Sequence, residues 1–236
     1  MGIQLIQTTP RSDIGWGVAL DEFDDCSAID KFGYNPDIST AYETIWDGGG
    51  VYAYPGSALA MTATSASGAT DNGVTILIEG LDTNYNVLTE TVTLAGSGTA
   101  TTSGEFLRVY RAYVTGATAP AGNITIANGG TTYAQITTPY NQTLMAVYTI
   151  PRRKKGWLVA VKISTEKQKE IQGRIITRQP GGVFLTKGII GTFGVPFQRK
   201  WVVPLAIPEK TDIEIQAYAG ANTSIAAGFE IILQDA

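Results

Sequence analysis

The stretch Val87-Leu88-Thr89-Glu90-Thr91-Val92-Thr93-Leu94 decides the fold class of this chain. Its three threonines alternate with Glu90, Val92 and Leu94, so one face of the segment is polar and the other is mostly apolar. A period of two is typical of a half-buried antiparallel strand, and β-branched residues disfavour helix. The stretch therefore predicts a strand, and the same pattern can be followed outward along the chain.

Similar short runs recur on both sides, separated by turn residues such as Asn128-Gly129-Gly130 that tolerate positive φ. The predicted strands are Val51–Tyr54, Ala58–Thr64, Val74–Glu79, Val87–Leu94, Phe106–Val114, Ile124–Ala127, Tyr133–Thr137, Leu144–Ile150, Trp157–Thr165, Ile171–Arg178, Val183–Gly188, Trp201–Val203, Ile213–Ala217 and Ile225–Leu233. Many short strands without amphipathic helices predict an all-β fold of antiparallel β-sandwich or jelly-roll domains. We place a Thr/Gly-rich sandwich at residues 51–140 and a second, jelly-roll-like sandwich at residues 141–236.

Two segments of this β region carry more specific expectations. The small, polar tract 95–104 predicts a mobile hairpin loop. Pro204 and Pro208 bracket Leu205-Ala206-Ile207. Because proline has no backbone N–H to donate to a ladder, this segment is predicted to be an edge strand or a connection and not a central strand.

The first 50 residues differ from the rest and predict an extended N-terminal arm. Aromatic residues stand among acidic ones without a sustained period, apart from a short helical turn expected near Cys26–Lys31. Trp16, Tyr42 and Trp46 are the candidate anchors of this arm. They would pack either on a neighbouring subunit or in the core of their own domain, and the sequence leaves both alternatives open.

Composition excludes most catalytic chemistry. The 236 residues include no His and one Cys, so there is no imidazole base, no His-ligated metal site and no intrachain disulfide. The run Asp82–Asn86 begins like a calcium loop, but Val87 and Thr93 stand where Gly and Glu are required, so a hairpin turn is the better interpretation. We expect no catalytic residue, metal or cofactor, and therefore no enzyme; the apolar runs are also too short for a membrane span.

Charge is divided unevenly along the chain. Residues 1–150 carry 4 Lys+Arg and 14 Asp+Glu, a net charge of −10, whereas residues 151–236 carry 13 and 7, a net charge of +6. Such asymmetry indicates either association, head to tail between copies or with a differently charged neighbour, or two separate surfaces that merely keep the chain soluble. The densest basic cluster, Arg152-Arg153-Lys154-Lys155, is expected on an exposed hairpin tip, either as a solvated turn or docked on an acidic protein surface. The overall charge of −4 argues against a nucleic-acid partner.

Several segments resemble virion structural proteins of tailed bacteriophages, notably short-tailed marine and cyanobacterial phages. The resemblance extends over residues 34–190 and is carried by Thr44–Tyr52, Ile78–Asn86, Glu90–Leu94, Phe106–Val114 and Gln142–Pro151. It implies a non-enzymatic head decoration or cement protein that is assembled in the host cytoplasm and located in the virion. Its partners would be the phage major capsid protein and its own copies, with a trimer favoured. The alternative is a fibre, neck or tail component whose loops around 95–104 or 181–194 bind a host surface glycan.

Overall fold

The computed structural model describes residues 14–166 and 168–236. Two short helical elements and sixteen strands make up this part of the chain. They are α1 (Ile14–Ala19), β1 (Cys26–Ile38), β2 (Glu43–Thr44), β3 (Leu59–Ser65), a 3₁₀ helix (Gly68–Asp71), β4 (Thr75–Leu81), β5 (Val87–Thr93), β6 (Thr99–Phe106), β7 (Arg108–Val114), β8 (Ile124–Asn128), β9 (Thr131–Ile136), β10 (Val147–Thr149), β11 (Lys154–Thr165), β12 (Glu170–Arg178), β13 (Leu185–Phe193), β14 (Phe197–Ile207), β15 (Asp212–Ala219) and β16 (Thr223–Asp235). All ladders are antiparallel, so the predicted all-β fold class is confirmed.

The first sandwich is built from β3 to β9. Its two sheets have the strand orders β6-β3-β8-β9 and β5-β4-β7. Val92 and Leu94 are buried while Thr91 and Thr93 face solvent, as the alternation of the opening stretch predicts. The turn at Asp82 is the expected hairpin between β4 and β5, with Asp82 Oδ1 accepting hydrogen bonds from the backbone N–H groups of two following residues.

The second sandwich has the sheets β1-β16-β11-β14 and β10-β15-β12-β13, and β2 pairs with β15 in the latter. Its core lies between the two sheets and is rich in isoleucine, as expected for β-branched residues on facing pleated surfaces. Strands β13 and β14 stand last in their sheets, so together they form one lateral edge of this sandwich. The prediction that Leu205–Ile207 lies at an edge is confirmed, because it belongs to β14.

Residues 26–45 are part of the second sandwich and Trp46 packs in the core of the first, so this segment is not an arm that lies apart from the sandwiches. β1 pairs with β16 from Cys26↔Gln234 to Ile38↔Thr223, so the helical turn expected near Cys26–Lys31 is wrong. The pairing partner lies about 200 residues away, and a local pattern does not reveal it. Trp16 lies in α1, and its side chain is outside the described residues, as are residues 1–13.

Three further expectations are corrected. Residues 51–54 form no strand, because this segment connects β2 to the first sandwich. Residues 99–104 are not a loop but the first part of β6, paired with β3. Strand β13 begins and ends later than predicted, so most of the segment 181–194 is strand.

Candidate protein-interaction surface

Two of the predicted arm anchors pack within their own chain. The Tyr42 hydroxyl donates a 2.6 Å hydrogen bond to Gln172 Oε1, and its ring meets Tyr218 edge-on at 4.9 Å. Trp46 is only 4% exposed and meets Tyr52 edge-on at 5.3 Å. The sequence left open whether these rings pack on a neighbouring subunit or in their own chain. These contacts of both rings lie within their own chain.

The basic cluster Arg152–Lys155 does not form a hairpin tip, because β10 and β11 lie in different sheets. The Lys154 ammonium is paired with Asp235, and the Lys155 Nζ lies 4.2 Å from the centre of the Trp157 ring. Arg152 and Arg153 are exposed, and the backbone N–H of Arg152 donates to the Tyr85 carbonyl of the first sandwich. The cluster is thus a connection between sheets beside the other sandwich, with two of its four cations engaged inside the chain.

A buried ionic cluster holds the two sandwiches together. Arg108 of β7 donates to both carboxylate oxygens of Asp212 on β15, at 2.7 and 3.1 Å. Arg178 donates to Asp212 Oδ2 at 3.1 and 2.7 Å, and the Thr149 hydroxyl donates to Oδ1 at 2.7 Å. Five donated hydrogen bonds satisfy the Asp212 carboxylate, which leaves it no acceptor capacity for a substrate.

Glu214 lies next to this cluster and is held by neutral groups. The Tyr54 hydroxyl donates to Glu214 Oε2 at 2.8 Å, while Thr44 and Gln216 donate to Oε1. Burial is the main influence on this carboxyl and raises its pKa to about 7. Tyr54 and Gln216 are themselves packed against arginine side chains at the junction, so the arrangement fixes the two sandwiches relative to each other. Among the described residues, no cluster of His, Cys, Asp or Glu is suited to a metal ion.

The opposite situation is found at the lateral edge formed by β13 and β14. Large apolar side chains there point into solvent, including Val202 at 100% exposure, Val203 at 79% and Phe193 at 63%. We call the following residues the apolar edge: Leu185, Ile189, Phe193, Val195, Val202 and Val203. Single exposed apolar residues are ordinary, but a concentration on one edge marks an interaction surface.

A bulge in β14 produces the most prominent part of the apolar edge. Leu158 of β11 pairs with Leu205, and Ala160 pairs with Lys200, so residues 201–204 stand opposite Val159 alone. The extra residues push Val202 and Val203 outward while Trp201 packs against the core. A bulge interrupts the ladder and prevents unregulated pairing of an edge strand, so its apolar tip favours contact through side chains.

Basic residues flank the apolar edge, and acidic residues are concentrated in the segment that leads into β1. Lys187, Arg199 and Lys200 are exposed on β13 and β14. β1 lies at the far end of the sheet order β1-β16-β11-β14, and the segment leading into it exposes Asp21, Glu22, Asp24 and Asp25. The segment before β1 packs on the outer face of this sheet, where Val18 and Phe23 line a cleft together with Trp157 of β11 and Pro204 of β14.

Sequence reasoning missed the apolar edge. The signal available was Val202-Val203 next to Pro204 and after Arg199-Lys200, in a segment assigned as a short strand. Whether such valines face the core depends on register, and the bulge that turns them outward is visible only in the ladder.

No protein-family model matches the sequence, and no curated protein matches it. Solved structures that match include infectious bursal disease virus Gt strain, with 12% identity and a TM-score of 0.24 over 89% of this chain and 73% of that chain. The VP2 subviral particle of infectious bursal disease virus matches at 11% identity and a TM-score of 0.24, over 89% and 72% of the two chains. Infectious bursal disease virus Gx strain matches at 9% identity and a TM-score of 0.26, over the same shares. TM-scores of this size do not establish a common fold.

Within the described residues, no helix is long and apolar enough to cross a lipid bilayer.

Proposed function

We propose that the protein is a non-enzymatic structural component of a virion, a head decoration or cement protein that binds the major capsid protein and its own copies. The single observation that carries the proposal is the apolar edge, where valine and phenylalanine side chains are held in solvent by ordered strands. The buried ionic cluster supports a structural role, because its charged groups bind one another across the two sandwiches.

The exposed charges of the second sandwich bear on how copies would contact one another. A symmetric contact between two apolar edges would place Lys187, Arg199 and Lys200 of one copy against the same cations of another. Contact with the acidic segment before β1 instead pairs opposite charges across the interface. Such a head-to-tail contact is heterologous, and it closes into a ring when the rotation between copies permits.

The self-association is tested with Val202→Asp, which places a carboxylate at the apolar edge opposite the acidic segment. We expect the full-length protein to sediment as an oligomer and the variant as a monomer in analytical ultracentrifugation. Val87→Asp is the matched control, because Val87 is 58% exposed on β5, an edge strand of the first sandwich. An oligomer that survives Val202→Asp unchanged contradicts the proposed interface.

Mixing two defective variants distinguishes a head-to-tail contact from a symmetric one. Asp24→Lys damages the acidic segment and leaves the apolar edge intact, whereas Val202→Asp does the reverse. In a head-to-tail interface, the mixture regains one intact contact and forms a heterodimer that native mass spectrometry detects. A mixture that remains monomeric contradicts head-to-tail association.

The virion assignment has its own test. Purified particles of the virus that encodes this chain should contain the protein in many symmetry-related copies on the head exterior, as seen by electron cryomicroscopy. Particles that lack it contradict the assignment, and density confined to the neck, tail or fibres contradicts the decoration role.

A further inference from the structure

A large groove lies on the outer face of the sheet β1-β16-β11-β14, away from the sandwich core. It has a volume of about 720 Å³. This lies within the usual range for small-molecule sites. The register ladder gives its floor: Phe32 stands across from Gly228, Gly228 from Lys162, and Lys162 from Gln198. Four neighbouring strands thus present side chains to one concave surface.

Gly228 stands between Phe32 and Lys162 in this floor. A Cβ at this position would lie 2.6 Å from the Lys31 carbonyl oxygen and 2.9 Å from Lys162 Cε. The absence of a side chain at Gly228 leaves the space in which the Lys162 side chain crosses the strand and reaches the Asp30 carboxylate, 3.2 Å away. The result is a depression with an ion pair beside it and an aromatic ring on its rim.

Aromatic rings form the walls of the groove. Phe32 is 45% exposed and Tyr140 is 50% exposed, and the partly exposed rings of Tyr34 and Phe197 also line it. An exposed aromatic face is weakly negative and attracts C–H groups that carry partial positive charge. Polar groups are interspersed among the rings, namely the side chains of Gln142, Gln198, Ser164, Lys162 and Glu230.

This combination has the chemistry of a carbohydrate site. A sugar ring presents a C–H face for stacking and hydroxyl groups that need both donors and acceptors, which amides, carboxylates and ammonium groups supply. A lipid chain would cover the Lys162–Asp30 ion pair and the amide groups without offering them any hydrogen bond, and removing these polar groups from water would cost free energy. Among the described lining residues Lys162 is the one cation, and its ammonium group is paired with Asp30, so the groove offers little free positive charge to phosphate, sulfate or acidic sugars.

We infer that this groove binds a neutral oligosaccharide, with Phe32 and Tyr140 stacking on sugar rings and Lys162, Gln142 and Glu230 contacting hydroxyl groups. The binding is independent of the proposed self-association, since the apolar edge uses different side chains. A protein that assembles on a particle and carries such a groove would present many copies of it, and multivalency would convert weak single contacts into firm attachment.

The test uses an array of neutral and acidic glycans probed with the full-length protein, followed by isothermal titration of the best neutral oligosaccharide. We expect neutral glycans to bind, and Phe32→Ala and Tyr140→Ala each to weaken binding about tenfold, as for a stacked aromatic anchor. Val87→Ala is the matched control, an exposed apolar residue of the first sandwich that lies outside both the groove and the apolar edge, and should leave affinity within about twofold. Circular dichroism of each variant checks that it remains folded.

Three outcomes would overturn the inference: no neutral glycan on the array bound, binding restricted to acidic glycans, or affinity unchanged in both Phe32→Ala and Tyr140→Ala. Repeating the titration with Val202→Asp separates this inference from the proposed function. Retained glycan binding by that variant supports an independent groove, whereas its loss would show that the groove requires association of copies and would contradict independence.

Discussion

Two regions of this chain depart from the usual rule that charged side chains are exposed and apolar ones are buried. They are the buried junction between the sandwiches and the apolar edge of the second sandwich. At the junction, Asp212 and Arg108 are nearly removed from solvent, whereas at the edge Val202 and Val203 are almost fully exposed. Charges are costly to bury unless they are paired, and every hydrogen-bonding position of Asp212 is filled. The edge has no such compensation within the chain. The junction is therefore complete in one copy, whereas the exposed edge fits the proposed contact with a second molecule.

The largest effect is expected from removing the buried acceptor. Asp212→Ala leaves Arg108 and Arg178 without their carboxylate, and the loss of one partner of a buried pair costs about 3–5 kcal/mol in the free energy of unfolding. Asp235→Ala is the control, because its partner Lys154 is partly exposed and such pairs contribute about 0–1 kcal/mol. Urea denaturation measures both, and equal losses for the two variants would show that the junction is no more important than a surface pair.

The pH dependence of stability tests the other half of the junction. The pKa of Glu214 is raised by burial from 4.5 to about 7, so the folded chain keeps a proton that the unfolded chain releases between these values. Its contribution is therefore fully present below about pH 4.5 and is lost as the pH rises through about 7, a change of about 3 kcal/mol. Glu214→Gln should flatten the stability profile in that window.

Asp47 provides the comparison for this measurement. Its pKa is also raised to about 7, chiefly by burial, so it contributes a loss of stability in the same direction. Asp47→Asn should remove only its own part of the pH dependence, and the double variant should remove both. A Glu214→Gln profile that still follows the wild-type profile would show that Glu214 is not protonated in the folded chain.

A glycine substitution compares the interior of a sheet with its edge. Gly228→Ala in β16 places a methyl group against the Lys31 carbonyl and should cost about 1–3 kcal/mol through overpacking. Gly191→Ala in the edge strand β13 meets no atom within 4 Å, and should change stability by no more than about 0.5 kcal/mol. Thermal unfolding of the two variants measures the contrast, and similar Tm values would contradict it.

The local alternation of apolar and polar residues predicted most of the strands, but it did not predict which distant strands pair. Alternation identified β5, β15 and β16, because a strand with one buried face repeats every two residues. It did not place β1, whose partner β16 lies at the other end of the chain, and so it left residues 26–38 in an arm. The first sandwich is consequently an insertion between β2 and β10, an arrangement with no local signature.

The buried junction and the apolar edge were the least predictable parts of the molecule, for the same reason. Arg108 and Asp212 are 104 residues apart, and nothing in either neighbourhood indicates the other. The basic cluster 152–155 attracted attention because its charges are adjacent in sequence, yet two of its members bind within the chain. The cations that flank the apolar edge are spread over β13 and β14, so only the fold brings them to one edge.

The smallest change in stability is expected at the apolar edge, where it can be compared with the same substitution in the core. Val202→Ser exchanges an apolar for a polar group at a position that is already in water, so the free energy of unfolding of the monomer should stay within about 0.5 kcal/mol. Val161→Ser makes the same exchange at a buried position of the same sheet. Loss of the buried methyl groups and burial of a hydroxyl should there lower the free energy of unfolding by about 2 kcal/mol or more.

Both measurements need dilute protein, since association would stabilise the wild-type chain by mass action and make Val202→Ser look harmful. A stability difference that grows with protein concentration then reports the interface itself, and one that is the same at every concentration would mean that Val202 contributes to the fold of a single copy.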